Sequence, residues 1–300
     1  MKRLRVLGFI LLLCILGQSV VVSAAPRASR ATSSTLKVTF FSEAMQKDMR
    51  LNVYLPPNYD GQDKYPVLYV LHSYKLNENH WFDALKITQK ADALIASGKI
   101  EPLIIVAPEM DNSFGVNSSD KPGYIAESGK PGDEGVLTTG PYEDYVTKDV
   151  ISYVDTHFNT IKSRNSRYIG GTSMGGFAAL HIGLRNPNLF GKVGGHSPAI
   201  FVGQMWEPLE KLVYPTQDVR KVSDPLSLAA NQKLNKVQIY LDLGDQDDFK
   251  DATKKLSDIF SGVKTKSFQF HVTKGGHHDD AYWSSQVDNY LQFYAGPESE

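Results

Sequence analysis

The chain has almost no cysteine, since Cys14 is the single cysteine among its 300 residues. Cys14 lies inside an apolar run and lacks the small residue before it that a lipoprotein signal would carry. If residues 1–24 are removed as a signal peptide, the mature chain keeps no thiol. Disulfides and cysteine-ligated metal sites are then excluded.

The chain also lacks a run of basic residues. It has 32 Lys and Arg against 33 Asp and Glu. The first 24 residues contain three basic and no acidic side chains, so 29 basic and 33 acidic residues would remain, a formal charge of −4. A mildly acidic protein without a basic patch is a poor nucleic-acid binder, and we predict no such partner.

Residues 1–24 have the layout of a secretory signal peptide. Lys2, Arg3 and Arg5 precede an apolar run over residues 6–22, and Ser23-Ala24 offers small residues for cleavage. The alternative is an uncleaved anchor, but the run is near the lower length limit for a membrane span. We therefore expect a secreted or periplasmic protein without stable membrane insertion, with a flexible leader over residues 25–35.

The remaining chain alternates between short apolar runs and segments of helical spacing. An early, half-exposed antiparallel strand is predicted around Leu51, Val53 and Leu55. Buried strands are predicted at 65–73, 103–108, 167–171, 237–244 and 267–272. Helices are predicted at 84–96, 142–158, 177–184, 251–260 and 282–293. This alternation predicts one doubly wound α/β domain over residues 36–300, with long irregular connections at 111–140 and 201–226.

The segment GTSMG, from Gly171 to Gly175, fits the pattern G-x-S-x-G. About 0.1 such matches are expected by chance in a chain of this length, so the context matters. A predicted strand precedes this segment and a predicted helix follows it, as in the strained turn that presents a nucleophilic serine. We predict that Ser173 is a catalytic nucleophile.

A serine nucleophile needs an imidazole base held by a carboxylate, which this type of fold supplies later in the chain. Three aspartates follow the strand at 237–244, namely Asp245, Asp247 and Asp248, and His277 follows a strand and two glycines. Some of these aspartates could instead cap the next helix, and His278, Asp279 and Asp280 could cap the last helix.

A metal site is disfavoured because His277 and His278 are adjacent, which is poor ligand spacing, and the chain contains no H-E-x-x-H motif. We predict no metal and no cofactor. An oxyanion hole needs two backbone N–H donors. The N–H groups of Met174, which follows the nucleophile, and Tyr74, after the strand at 65–73, are the candidates.

Seven segments over residues 36–293 resemble the putative-esterase group of α/β-hydrolases: YPVLYVLHS, LIIVAPEM, YEDYVTKDVISYVDTHF, GGTSMGGFAAL, DPLSLA, IYLDLGDQDDF and GGHHDDAYW. That group includes esterase D (S-formylglutathione hydrolase), bacterial tributyrin and feruloyl esterases, and secreted mycolyltransferases. The resemblance implies the α/β-hydrolase fold, a doubly wound and mostly parallel sheet with helices on both faces.

Carried over residue by residue, the resemblance implies Ser173 as nucleophile. It implies Asp247, the third residue after the strand-end glycine, as the acid, and His277, the first histidine after the glycine pair, as the base. One departure is that the group usually has His-Gly at the oxyanion loop, where this chain has His72-Ser73.

These observations predict a secreted serine carboxylic-ester hydrolase with an acyl-enzyme intermediate. Its substrates would be small-molecule or polysaccharide-linked esters of acetyl, feruloyl or short-chain glyceride type. The alternatives are an acyltransferase that uses an alcohol acceptor, and a non-catalytic binding protein with a hydrolase fold.

Overall fold

A computed structural model describes residues 32–125 and 136–297. The predicted signal peptide, and the predicted leader up to residue 31, lie outside the described residues. The strands are β1 Ser34–Ser42, β2 Lys47–Leu55, β3 Val67–Leu71, β4 Ile104–Pro108, β5 Gly123–Ile125, β6 Leu137–Thr139, β7 Arg167–Thr172, β8 Lys192–His196, β9 Gln238–Gly244 and β10 Ser267–Thr273. Since β1 begins at Ser34, the last two residues assigned to the leader belong to a strand.

The helices lie between and after these strands. They are α1 His80–Asp83, α2 Ile87–Ala96, α3 Tyr142–Asp144, a π-helix Tyr145–Val150, α4 Ile151–His157, a 3₁₀ turn Arg164–Ser166, α5 Met174–Arg185, α6 Glu207–Val213, α7 Gln217–Ser223, α8 Pro225–Asn231, α9 Lys250–Gly262 and α10 Asp280–Ala295. Among the described residues, no helix is both long enough and apolar enough to cross a membrane.

The main sheet has eight strands in the order β1-β2-β4-β3-β7-β8-β9-β10. The pairs β1–β2 and β2–β4 are antiparallel, and every later pair is parallel. A small separate sheet pairs β5 with β6. The predicted parallel sheet with an early antiparallel strand is therefore confirmed, but that strand, β2, is buried at Leu51, Val53 and Leu55 and is not half-exposed as predicted, because β1 and β4 pair with it on both sides.

The continuous apolar sequence of β3 reflects burial on both faces of the sheet. Val67, Tyr69 and Leu71 join one buried cluster, whereas Leu68 and Val70 join another. The first cluster includes the residues of α5 and the π-helix, and the second includes those of α2 and α10. Because successive strand residues point to opposite faces, this division places helices on both sides of the sheet, as predicted.

Several elements differ from the sequence prediction; β1 was not predicted, and β5 and β6 lie in the connection at 111–140 that was predicted to be irregular. Strand β8, KVGGH, was not predicted, because its two glycines have low strand propensity; it is buried between β7 and β9. Residues 201–226, predicted to be irregular, contain α6, α7 and the start of α8. The helix predicted at 142–158 is interrupted by the π-helix.

Candidate active site

Ser173 occupies a strained turn between β7 and α5. Its backbone angles are φ 54° and ψ −115°, in a region that non-glycine residues rarely adopt. Two hydrogen bonds hold the turn: Ser173 N–H donates to the His196 carbonyl over 3.1 Å, and Ala199 N–H donates to the Ser173 carbonyl over 2.9 Å. This is the geometry predicted from G-x-S-x-G.

The two glycines of the motif allow close backbone approach at this turn. A Cβ on Gly171 would lie 2.3 Å from the carbonyl of Gly175, and a Cβ on Gly175 would lie 2.1 Å from the carbonyl oxygen of Leu71. Real Cβ atoms do not come so close to backbone atoms. The glycines are therefore required for β3, β7 and the start of α5 to pack together around the serine.

The imidazole of His278 lies between Ser173 and Asp247. Its Nε2 is 2.8 Å from the Ser173 hydroxyl, and its Nδ1 is 2.9 Å from Oδ2 of Asp247. The hydroxyl can donate to Nε2 only if the ring proton is on Nδ1, where it donates to the carboxylate. Serine, histidine and aspartate therefore form one continuous chain of hydrogen bonds.

The prediction that His277 lies against the serine is wrong in this geometry, because His277 is exposed and the neighbouring histidine occupies that position. The packing of the glycine pair sets the directions of the two histidine side chains that follow. Gly276 is pressed against Tyr282, whose ring a Cβ would meet at 2.7 Å, and its carbonyl accepts the N–H of Gln246. Adjacent side chains diverge, so His277 points outward and His278 inward.

Of the three predicted cap candidates for the last helix, His278 is wrong and Asp279 is confirmed. The cap of α10 is Asp279, whose Oδ1 accepts the N–H of Tyr282 over 2.8 Å. Asp279 was one of the three predicted cap candidates, and an aspartate directly before a helix is a typical N-cap. With Asp279 assigned as the cap, His278 is the last residue of the loop and is free to face the serine.

Of the three candidate aspartates, Asp247 contacts the histidine. It is buried, and its Oδ1 accepts the N–H of Phe249 over 2.8 Å. Burial alone would raise the pKa of Asp247, but the His278 hydrogen bond and charge, together with the Phe249 N–H, lower that pKa below its ordinary value. Asp248 is exposed, and Asp245 accepts the N–H of Gly275 over 2.7 Å, which holds the glycine loop.

Of the two predicted oxyanion donors, Met174 follows the serine directly and Tyr74 belongs to a loop that contacts the turn. Met174 is the first residue of α5 and is buried. Tyr74 follows β3, which pairs with β7, and the preceding Ser73 hydroxyl is 2.8 Å from the Thr172 hydroxyl, one residue before Ser173. The loop that carries the Tyr74 N–H therefore lies beside the turn, and its role as a donor stays a prediction.

A series of aromatic rings extends from the triad, and no pattern in the sequence predicted it. Trp283 packs edge-on against His278 at 5.1 Å, and Phe249 lies 5.0 Å from the same ring on another side. Further rings continue in steps of 5.7 to 6.2 Å between centroids, from Phe249 through Phe201 and Phe114 to Tyr74. The rings come from distant segments, so only the fold brings them together.

The described residues contain no cluster of side chains suited to bind a metal ion. Across residues 32–125 and 136–297, no group of three or more His, Cys, Asp or Glu side chains is arranged to hold an ion. The chemistry available to this site from its own residues is nucleophilic attack by an activated hydroxyl.

Comparison with known sequences places the chain in a family. Residues 42–294 match the family described as Esterase: Putative esterase. The chain belongs to this family. An endo-1,4-beta-xylanase/feruloyl esterase of Xylanibacter ruminicola is 35% identical over 163 residues, which are 53% of this chain and 20% of that relative. The chain thus spans about a fifth of the length of this esterase-family relative.

Solved structures show the same fold. A ferulic acid esterase superposes with a TM-score of 0.72 at 25% identity, covering 89% of this chain and 98% of the other. An S-formylglutathione hydrolase from Agrobacterium tumefaciens superposes with a TM-score of 0.71 at 18% identity, covering 89% and 96%. Together with the sheet order, these similarities establish the α/β-hydrolase fold of this esterase-family chain.

Proposed function

We propose that this chain is a serine carboxylic-ester hydrolase that acts through an acyl-enzyme. The observation that carries the proposal is the hydrogen-bonded series Ser173–His278–Asp247, with distances of 2.8 and 2.9 Å. A serine hydroxyl is a weak nucleophile until a base removes its proton, and here the base is within hydrogen-bond distance. Family membership independently supports ester hydrolysis.

In acylation, the Ser173 oxygen attacks the ester carbonyl carbon while its proton passes to Nε2 of His278. The carboxylate of Asp247 keeps the other ring proton on Nδ1 and stabilises the imidazolium that forms. The tetrahedral intermediate places negative charge on the former carbonyl oxygen, where the N–H groups of Met174 and Tyr74 would donate.

The intermediate collapses when the bond to the alcohol oxygen breaks and His278 returns the proton to the leaving alcohol. In deacylation, His278 removes a proton from water, which attacks the Ser173 ester and releases the acid. The lowered pKa of Asp247 keeps its carboxylate ionised at neutral pH, so the imidazolium is stabilised in both halves of the cycle.

Aromatic acids are the acyl groups that we favour. The rings of Phe249, Phe201, Phe114 and Tyr74 form a continuous series that begins beside the His278 ring, and aromatic pairs attract beyond simple area burial. Two relatives are named feruloyl or ferulic acid esterases. With the predicted signal peptide, we propose action outside the cytoplasm on feruloyl-type esters of plant polysaccharide.

Labelling with a fluorophosphonate probe tests the nucleophile. Wild-type protein should be labelled, Ser173→Ala should not, and Ser261→Ala on α9 should be labelled like wild type. Methyl ferulate should then be hydrolysed with a higher kcat/KM than methyl acetate. Labelling that persists in Ser173→Ala would refute the proposal, while equal kcat/KM for the two esters would refute the aromatic acyl preference.

The variant Phe201→Ala tests whether the aromatic series binds the acyl group. Since this ring is in the middle of the aromatic series, its loss should raise KM for methyl ferulate more than KM for methyl acetate. Phe268→Ala on β10, whose ring contacts Phe260, is the control for a general loss of aromatic packing. Equal changes in KM for both esters would assign Phe201 a purely structural role.

A further inference from the structure

The peptide group between Ser73 and Tyr74 is held from its carbonyl side. The Ser73 carbonyl accepts the Nδ1–H of His72 over 3.0 Å and the N–H of Leu76 over 3.2 Å. A trans peptide is planar, so its N–H points opposite to its carbonyl. Fixing the carbonyl of Ser73 therefore fixes the direction of the Tyr74 N–H.

The ring of His72 is itself locked in place. It is buried, and the N–H of Met110 donates to its Nε2 over 2.9 Å, so the ring proton is on Nδ1 and faces Ser73. Oε1 of Glu109 also lies 3.2 Å from Nε2. With Nε2 occupied as an acceptor, Nδ1 carries the hydrogen that the Ser73 carbonyl accepts.

The side chain of Ser73 ties the same loop to the nucleophile turn. Its hydroxyl lies 3.2 Å from the carbonyl oxygen of Thr172 and 2.8 Å from the Thr172 hydroxyl. Both residues are buried, so water does not compete for these bonds. The Ser73 hydroxyl can donate to the carbonyl while the Thr172 hydroxyl donates to Ser73, which satisfies both groups. The glycine usual in similar esterases could form neither bond.

We propose that His72, Ser73 and Thr172 are positioning residues that aim the Tyr74 N–H at the oxyanion. His72 sets the direction of the peptide, and the Ser73–Thr172 pair sets its distance from the residue before Ser173. This inference rests on the proposed function, because an oxyanion forms only if Ser173 attacks a carbonyl. Its energetic effect should appear in the transition state and not in substrate binding.

The test uses Ser73→Ala, Thr172→Val and the double variant, with kcat and KM measured on methyl ferulate. Loss of one oxyanion donor lowers kcat by about 10²–10³-fold, so a misaimed donor should cost about 10-fold or more with KM unchanged. The double variant should lose no more than the worse single variant, because both substitutions break the same link. Thr172→Ser, which keeps the hydroxyl, should recover the kcat that Thr172→Val loses.

A second readout separates positioning from folding. An arylboronic acid forms a tetrahedral adduct with an active serine, and its affinity should fall in parallel with kcat, while the affinity for ferulate should not change. If Ser73→Ala does not fold, as judged by circular dichroism, the Thr172→Val and Thr172→Ser pair provides the same comparison.

An unchanged kcat in Ser73→Ala and Thr172→Val, or a loss that resides wholly in KM, would overturn the positioning role. Failure of the proposed function is distinguishable, since wild-type protein would then not react with the fluorophosphonate at Ser173.

Discussion

Among the described residues, two histidine–aspartate pairs share the same contact through Nδ1 and have different surroundings. In each, the histidine Nδ1 lies 2.9 Å from a carboxylate oxygen: His278 with Asp247 at the sheet edge, and His196 with Asp242 inside the sheet. The side chain of His278 is 19% exposed, whereas those of His196 and Asp242 are 0% and 1% exposed. Geometry between the two residues therefore does not identify the reactive pair.

What differs is the partner at the second ring nitrogen. Nε2 of His278, whose side chain is partly exposed, faces the Ser173 hydroxyl at 2.8 Å, while Nε2 of the buried His196 faces the Tyr294 hydroxyl at 3.1 Å. Asp242 also accepts the hydroxyls of Tyr282 and Tyr290 at 2.6 and 2.8 Å. The inner pair thus has every polar atom occupied and no access for a substrate, which assigns it a structural role.

The largest effect should come from His278→Asn. Loss of the base removes proton transfer in both half-reactions, and in a comparable triad the loss of kcat is about 10⁶-fold. His277→Asn is the matched control and should turn over methyl ferulate at close to the wild-type rate. Steady-state kinetics on both variants test whether His278 is the base. A large loss in His277→Asn with little loss in His278→Asn would show that His277 is the base, as the sequence predicted.

Asp247→Asn should be the next largest, with kcat reduced by about 10⁴-fold because the ring loses the charge that fixes its tautomer. Asp245→Asn, in the same loop, should reduce kcat much less, because Asp245 only holds the glycine loop. Stopped-flow or steady-state hydrolysis of methyl ferulate measures both. Equal losses in the two variants would show that loop placement, and not the carboxylate charge, limits the reaction.

Asp242→Asn should act on stability. Leaving the hydrogen-bond partners of a buried side chain unsatisfied costs about 1–3 kcal/mol in the free energy of unfolding, as measured by urea denaturation. Folded protein should keep kcat within about tenfold of wild type, a loss of at most about 1.4 kcal/mol in the barrier. A loss of kcat as large as that of Asp247→Asn, without loss of stability, would instead assign the inner pair a direct part in catalysis.

The smallest effect concerns acid stability. The pKa of Asp247 is lowered in the folded state, so its ionisation favours folding above the unfolded value of about 4 and this contribution is lost as the pH falls through the folded value. The unfolding free energy of wild type relative to Asp247→Asn should therefore be greater at pH 7 than near pH 3. Urea denaturation at both pH values measures it, and a constant difference would contradict the lowered pKa.

Much of the fold followed from local patterns. The apolar runs of β3 and β4 predicted buried parallel strands because both faces of these strands are covered. Strand β8 escaped prediction because its burial depends on its neighbours: a Cβ on Gly194 would lie 2.0 Å from the Tyr294 hydroxyl, so α10 and not local propensity selects glycine there. Helical content at 201–226 likewise depended on packing.

The amino-acid sequence by itself determined the strand–serine–helix turn at Ser173 and the order of serine, acid and histidine. Such a turn is specified by a few adjacent residues, since Gly171 and Gly175 permit contacts that other residues would block. The choice of His278 over His277 was decided only by tertiary structure. It depends on how the loop packs against Gly244, where a Cβ would lie 2.0 Å from the Gly276 carbonyl, a contact between residues far apart in the chain.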